Sequence, residues 1–265
     1  MSRKRRAIVT EMGYSTPDRI VVRGHDLPGE LLGRINLGDM AFLEMMGRMP
    51  TSGESVLFNA LAVTLVEHGL TPSALSARLT FTGAPESIQA AVAAGLSGLG
   101  SVFVGTTEDS ARLLQEAIPD PHRPPGDLRA LAARIVADWH RRGALIPGIG
   151  HPLHKPIDPR TPRLFALAAE NGFDGPYIAL MQSVAAEAAE VYGKVLPINA
   201  TGAIGACCSE LRIPWRACRG IGVFARAVGL VGHIMEEMHT PIARELWTRA
   251  EDEAREHALA GGGGG

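Results

Sequence analysis

The 265-residue sequence predicts an almost wholly helical protein. Helix start and stop signals recur along nearly its whole length, while only two short runs have strand character. Aromatic residues are 5% of the chain, so Ala, Leu, Val, Ile and Met must fill the core, a mix that favours helix over sheet. The length is ample for one large domain or two modest ones.

The two strand-like runs, Ala7–Thr10 and Arg19–Arg23, suggest a small hairpin. Thr51-Ser-Gly-Glu54 is a capping box, and the helix it opens stops at Gly69. Thr71-Pro72 is a cap followed by a first-turn proline. Pro85-Glu86 opens a helix to about Leu99, and Thr106-Thr-Glu-Asp109 opens one ending before Pro119, its acids at the positive helix end. The segment 119–127 is the strongest breaker, after which Asp127 caps a helix through Arg142. Thr161-Pro162 caps the next, closing near Gly172. Helices also fit Pro176–Tyr192, Thr201–Leu211, Arg216–Met238 and Pro241–His257, with a disordered tail at 259–265. No repeat of fixed period is present.

Composition narrows the function classes. Net charge is −2, which offers no electrostatic argument for nucleic acid or membrane partners. Arg3-Lys-Arg-Arg6 reads as a solvated arm, and without an apolar region behind it the start is not expected to act as a signal peptide. Ile221–Met235 is the most apolar stretch, but it contains Arg226 and His233 and is not expected to span a bilayer. Cys207, Cys208 and Cys218 have neither disulfide nor metal spacing and are expected to be buried and reduced. A cytoplasmic enzyme that binds no metal is the expectation.

One loop stands out. Ala144-Leu-Ile-Pro-Gly-Ile-Gly-His151 is followed by Pro152–Arg160, and glycines there can bring backbone close to a ligand. Taken alone, it would equally suit an ordinary helix connection. Gly148-Ile-Gly-His151 with Asp158-Pro-Arg160 resembles a segment of the citrate synthase superfamily. Val22–Leu27, Gly47-Arg-Met-Pro-Thr51, Glu67-His-Gly69 and Val223–Gly229 resemble further family segments in the same order. The resemblance covers roughly residues 7 to 250. The short length and Gly229–Glu237 are most similar to citryl-CoA lyases, including the lyase module of ATP-citrate lyase.

That resemblance implies an all-α homodimer or higher homo-oligomer. A small domain, 106–205, would be inserted in a large one made of 1–105 and 206–258. The implied activity is carbon–carbon cleavage of citryl-CoA, or a related carboxylated 3-hydroxyacyl-CoA, to acetyl-CoA and oxaloacetate or a related 2-oxo acid. Coenzyme A enters as part of the substrate, with a carboxylic acid as the other partner, and no further cofactor is implied. Condensation on another oxo acid is one alternative, and a catalytically dead paralogue that binds CoA esters is another.

The site residues follow from the same likeness. His151 is expected to move a proton to or from the citryl hydroxyl, or to donate to an enolate oxygen, rather than merely pack the loop. Arg160 and Arg226 look like carboxylate clamps, since a guanidinium matches a carboxylate with two parallel hydrogen bonds. Arg226 lies in an apolar run, so it must face a partner or a cleft, with a structural salt bridge as the alternative. His68 resembles a second carboxylate-binding histidine, though beside Gly69 it could equally cap a helix. Pro147, Gly148, Ile149 and Gly150 are expected to hold coenzyme A through backbone groups, with Asn199 also at the coenzyme, Lys155 to meet a phosphate, and His154, His233 and Glu237 to lie near the site.

Two departures from the family pattern matter. Phe103 stands where citrate synthases carry a turn histidine. Thr201 stands where the family has a catalytic aspartate, bracketed by Asn199 and Gly202. A hydroxyl cannot act as a base at neutral pH without an activating partner, so Thr201 is expected to orient a water or donate to a thioester oxygen.

Overall fold

A computed structural model describes residues 7–102 and 104–261. The basic arm at 3–6, Phe103 and the last four glycines lie outside the described residues. Three short strands, β1 (Gly13–Ser15), β2 (Ile20–Val22) and β3 (His25–Asp26), form an antiparallel sheet with Tyr14 opposite Val21 and Val22 opposite His25. The first strand is therefore not Ala7–Thr10. The turn decides this: Thr16 N donates to Arg19 O at 2.8 Å, and that closure places Ser15 opposite Ile20. A π-helical turn, Leu27–Leu31, follows.

Eleven α-helices occupy the rest of the described residues: α1 (Leu37–Met46), α2 (Ser52–Val66), α3 (Pro72–Gly83), α4 (Ile88–Ser97), α5 (Gly105–Ala117), α6 (Leu128–Arg141), α7 (Arg160–Glu170), α8 (Pro176–Tyr192), α9 (Ala200–Glu210), α10 (Trp215–His239) and α11 (Ala243–Gly261). The fold is all-α. Helix α1 is an addition to the sequence reading, begun by Asn36, whose side chain accepts from Asp39 N at 2.8 Å. Helix α11 runs through Leu259, Ala260 and Gly261, so the expected tail is helical as far as it is described.

Three of the expected starts are side-chain caps. Thr51 and Glu54 form the reciprocal capping box of α2, Thr71 caps α3, and Asp127 caps α6 with a 2.9 Å bond from Ala130 N. Thr161 is not a cap: it sits inside α7, and its hydroxyl donates to Ile198 O at 2.8 Å, tying α7 to the chain before α9.

Helix α10 is the organiser. By length and apolarity alone it could cross a membrane, yet it packs against α2, α3, α4, α5 and α9 and carries buried Arg226, His233 and Glu237. Small residues set its distances: a Cβ on Gly222 would collide with Val104, and one on Gly229 with the carbonyl of Val66 at the end of α2. One contiguous core runs from Phe42 and Phe58 through Leu114, Met181 and Ile204 to Ile221. The three cysteines are buried and free, and burial pushes the Cys207 thiol up to about 12, so it behaves as a small apolar side chain.

Candidate active site

The glycine loop is docked on the start of α9 through its own backbone. Gly148 and Gly150 have φ of +83° and +90°, which favour glycine. Ile149 bridges Ile198, Gly150 N donates to Pro197 O at 2.7 Å, and Asn199 N donates to Gly148 O at 3.0 Å. Asn199 completes the clasp by donating from Nδ2 to Gly150 O at 2.7 Å. A Cβ on Gly148 would lie 2.5 Å from Gly202 Cα, so backbone touches backbone there. The glycines expected to face coenzyme A thus join the loop to α9.

His151 follows at once. Its Nδ1 accepts from the backbone N–H groups of Leu153 (3.1 Å) and His154 (3.0 Å), so a neutral ring carries its proton on Nε2 and presents a donor. Burial lowers its pKa, with His154, Arg160 and His68 adding to the effect and Asp158 opposing it. The His154 ring lies 4.4 Å from it, centroid to centroid.

Asp158, fully buried, holds the two sides together. It accepts from Arg160 Nε (2.9 Å), Arg160 Nη2 (2.8 Å) and Arg160 N (3.1 Å), and also from Ala200 N (3.0 Å) at the head of α9. Burial works to raise its pKa, but the Arg160 hydrogen bonds outweigh that and hold it below the usual carboxylate range. Arg160 is positioned by this pair and keeps only Nη1 and one Nη2 hydrogen for a ligand.

Thr201, in the first turn of α9, donates its hydroxyl to Asn199 Oδ1 at 2.7 Å, the oxygen that also takes Gly202 N at 3.0 Å. In this arrangement its hydroxyl proton is spent within the helix cap, and the oxygen offers the cleft only lone pairs.

At the end of α2, Glu67 rather than His68 is the cap. Its Oε1 takes the N–H groups of His68 (2.8 Å) and Gly69 (2.5 Å), and its Oε2 lies 2.9 Å from His233 Nε2. Burial works to raise its pKa, but the Gly69 hydrogen bond, His233 and His68 N–H lower it overall. The exposed His68 ring is near enough to His151 to affect its titration. Arg226 is 7% exposed, and its Nε and Nη1 have no hydrogen-bond partner among the described residues. Burial pulls its pKa down and Glu67 opposes.

Beside His151 opens a pocket of about 350 Å³ walled by Leu145, Ile149, Tyr192 and Leu196, with Lys194 its charged wall. Lys155 is exposed and does not line it. Lys194 was not singled out from the sequence. It lies five residues before Asn199, and the Asn199 clasp on the loop is what carries the segment there.

Comparison with known proteins defines the class. Residues 39–246 match the citrate synthase C-terminal domain model. The chain belongs to the citrate synthase family. The structure of citryl-CoA lyase from Hydrogenobacter thermophilus superposes with a TM-score of 0.80 at 33% identity, covering 89% of this chain and 88% of that one. ATP citrate lyase from Methanothrix soehngenii, solved with citrate and coenzyme A, gives 0.72 at 20% identity over 89% of this chain and 40% of that one. A probable ATP-citrate synthase of Dictyostelium discoideum is 22% identical over 251 residues. This chain spans about two fifths of that relative's length, 39%. Within its family the protein is a lyase-like enzyme.

Proposed function

We propose that this chain cleaves citryl-CoA, or a related carboxylated 3-hydroxyacyl-CoA, to acetyl-CoA and oxaloacetate or a related 2-oxo acid. One observation carries the reading: Arg226 is buried with Nε and Nη1 unpartnered among the described residues. A buried guanidinium without acceptors costs several kcal/mol, roughly, and a carboxylate supplies what it lacks. The likeness to citryl-CoA lyase supports the choice of substrate.

In the proposed reaction the hydroxyl loses its proton and its carbon becomes the ketone of the oxo acid. The pair of the breaking carbon–carbon bond moves into the thioester as an enolate, and the α-carbon then takes a proton to give acetyl-CoA. We assign His151 Nε2–H to stabilise the enolate oxygen, a role its resting tautomer supports because Nδ1 is occupied as an acceptor. We assign the hydroxyl proton to His68, whose ring makes no hydrogen bond among the described residues. Arg226 and the free edge of Arg160 hold carboxylates. The pocket beside His151 takes the pantetheine arm, with Lys194 toward a phosphate. We assign the active form as a cytoplasmic homodimer whose 106–205 segment closes over the ligand.

Mass spectrometry of the products from citryl-CoA and a panel of carboxylated 3-hydroxyacyl-CoA thioesters tests this. Acetyl-CoA with a 2-oxo acid is the expected result. Tight CoA-ester binding without turnover would establish a non-catalytic binding protein instead.

A further inference from the structure

Behind Arg226 lies a chain of buried polar groups that the proposed reaction does not use. Arg78, on α3, is 1% exposed. It donates from Nη1 to Glu237 Oε2 at 2.8 Å, from Nη2 to Glu236, and from Nε and Nη2 to His233 Nδ1 at 3.1 and 2.9 Å. Glu237 Oε1 in turn accepts from Ile242 N (3.0 Å) and Ala243 N (2.8 Å), anchoring the start of α11. His233, 9% exposed, turns its Nε2 to within 2.9 Å of Glu67 Oε2. Glu67 Oε2 also lies against α10 at Gly229, 3.4 Å from where a Cβ there would stand and three residues after Arg226, and its charge opposes the effect of burial on Arg226.

The order of donors is informative. A guanidinium can only donate, so Nδ1 of His233 must be bare and a neutral ring must carry its proton on Nε2, the nitrogen that lies 2.9 Å from Glu67 Oε2. Glu67 then has Oε1 held by two backbone N–H groups, while Oε2 rests in contact with His233 Nε2, which makes no hydrogen bond among the described residues. We infer that His233, set by Arg78, is a positioning residue that fixes Glu67 opposite Arg226, so that Arg226 is charge-balanced while its Nε and Nη1 stay open to a substrate carboxylate. Arg226 lies seven residues before His233 on α10, two helical turns away and on the same face. Without the His233 contact, Glu67 Oε2 is free to swing and pair with Arg226 itself, closing the site to the ligand.

This rests on the reading of Arg226 as a carboxylate binder. Its test compares His233→Leu, which breaks the relay, with His233→Gln, whose amide can accept from Arg78 and donate to Glu67. By calorimetry, His233→Leu is expected to weaken citrate binding about tenfold or more, leave coenzyme A binding unchanged, and be rescued to within about threefold by His233→Gln. Unchanged citrate affinity in His233→Leu, or equal losses in both variants, overturns the inference. The imidazole ¹⁵N resonances of His233 in the wild-type protein decide the relay separately. A bare Nδ1 and protonated Nε2 at neutral pH are expected, and any Nδ1–H form overturns it. If those resonances agree while the wild-type protein binds no citrate, the substrate assignment falls and the relay stands.

Discussion

Thr201 donates its hydroxyl to Asn199 Oδ1 across 2.7 Å, inside the cap of α9. The same oxygen takes Gly202 N, and Asn199 Nδ2 holds the glycine loop at Gly150 O. Residue 201 is thus joined to the clasp that positions His151.

Thr201→Asp is expected to lower the native activity and give at most feeble citrate synthesis. The helix N-terminus favours a carboxylate there by about 0.3–1 kcal/mol. Against that, the introduced carboxylate would lack the proton that Asn199 Oδ1 accepts and would set two acceptors together, costing about 1–3 kcal/mol. Kinetics with citryl-CoA, and with acetyl-CoA plus oxaloacetate, check this; a clear gain in either shows that a carboxylate suits the site.

For His151, two variants separate donation from proton transfer. His151→Ala is expected to reduce turnover about 10²-fold or more with the fold intact. His151→Gln keeps an N–H near the Nε2 position and is expected to recover most of that loss. Equal inactivity of both would point to proton transfer by the ring.

Arg226 should trade stability for binding. Arg226→Met replaces a buried guanidinium, whose Nε and Nη1 have no acceptor among the described residues, with an apolar chain of similar length, so the melting temperature of the unliganded protein should rise while citrate binding is abolished. Arg226→Lys keeps the charge but not the forked geometry, and KM for the carboxylated substrate should rise at least about tenfold. A lower melting temperature in Arg226→Met would mark a structural role.

The two loop glycines should respond differently to alanine. Gly150→Ala meets only the left-handed backbone strain, about 1–2 kcal/mol, because nothing lies within 4 Å of the added Cβ. Gly148→Ala adds a clash with Gly202 Cα and should cost more, with loss of activity as His151 shifts. Urea denaturation of the pair measures the difference.

Acid should undo the α2 cap. Glu54 is brought down to about 2 from 4.5, chiefly by its hydrogen bonds with Arg48 at 2.8 and 2.5 Å, with burial opposing. A depressed carboxyl contributes stability above its unfolded pKa and loses it as pH falls from about 4.5 toward 2. Glu54→Gln should therefore cost about 1–2 kcal/mol at pH 7 and progressively less below about pH 4.5, read from denaturation at each pH.

The helical architecture was legible because its signals are local. Thr51 with Glu54, Thr71 with Pro72, and Asp127 are caps whose partners lie within three residues, and each caps the helix it announced. Helix α1 was not legible: Gly38, in its first turn, argues against a helix, and only Asn59 packed against it from α2 explains the glycine. Thr161 misled because a threonine before a proline looks like a cap until Ile198 takes its hydroxyl.

The sequence alone was enough to show that Arg226 on an apolar helix needs a partner, that the glycine loop ends in His151, and that Thr201 stands at an aspartate's position. Tertiary structure decided what each can do. His151 is a donor because two backbone N–H groups converge on its Nδ1, and Arg160 is half-satisfied because Asp158 turns back on it. Arg226 keeps Nε and Nη1 open among the described residues, while Glu67, 159 positions away in the chain, meets His233 at 2.9 Å through Oε2. A helix start is set by dihedrals and hydrogen bonds within one turn, whereas a buried charge is set by whichever distant atoms the packing of α2, α3 and α10 brings against it.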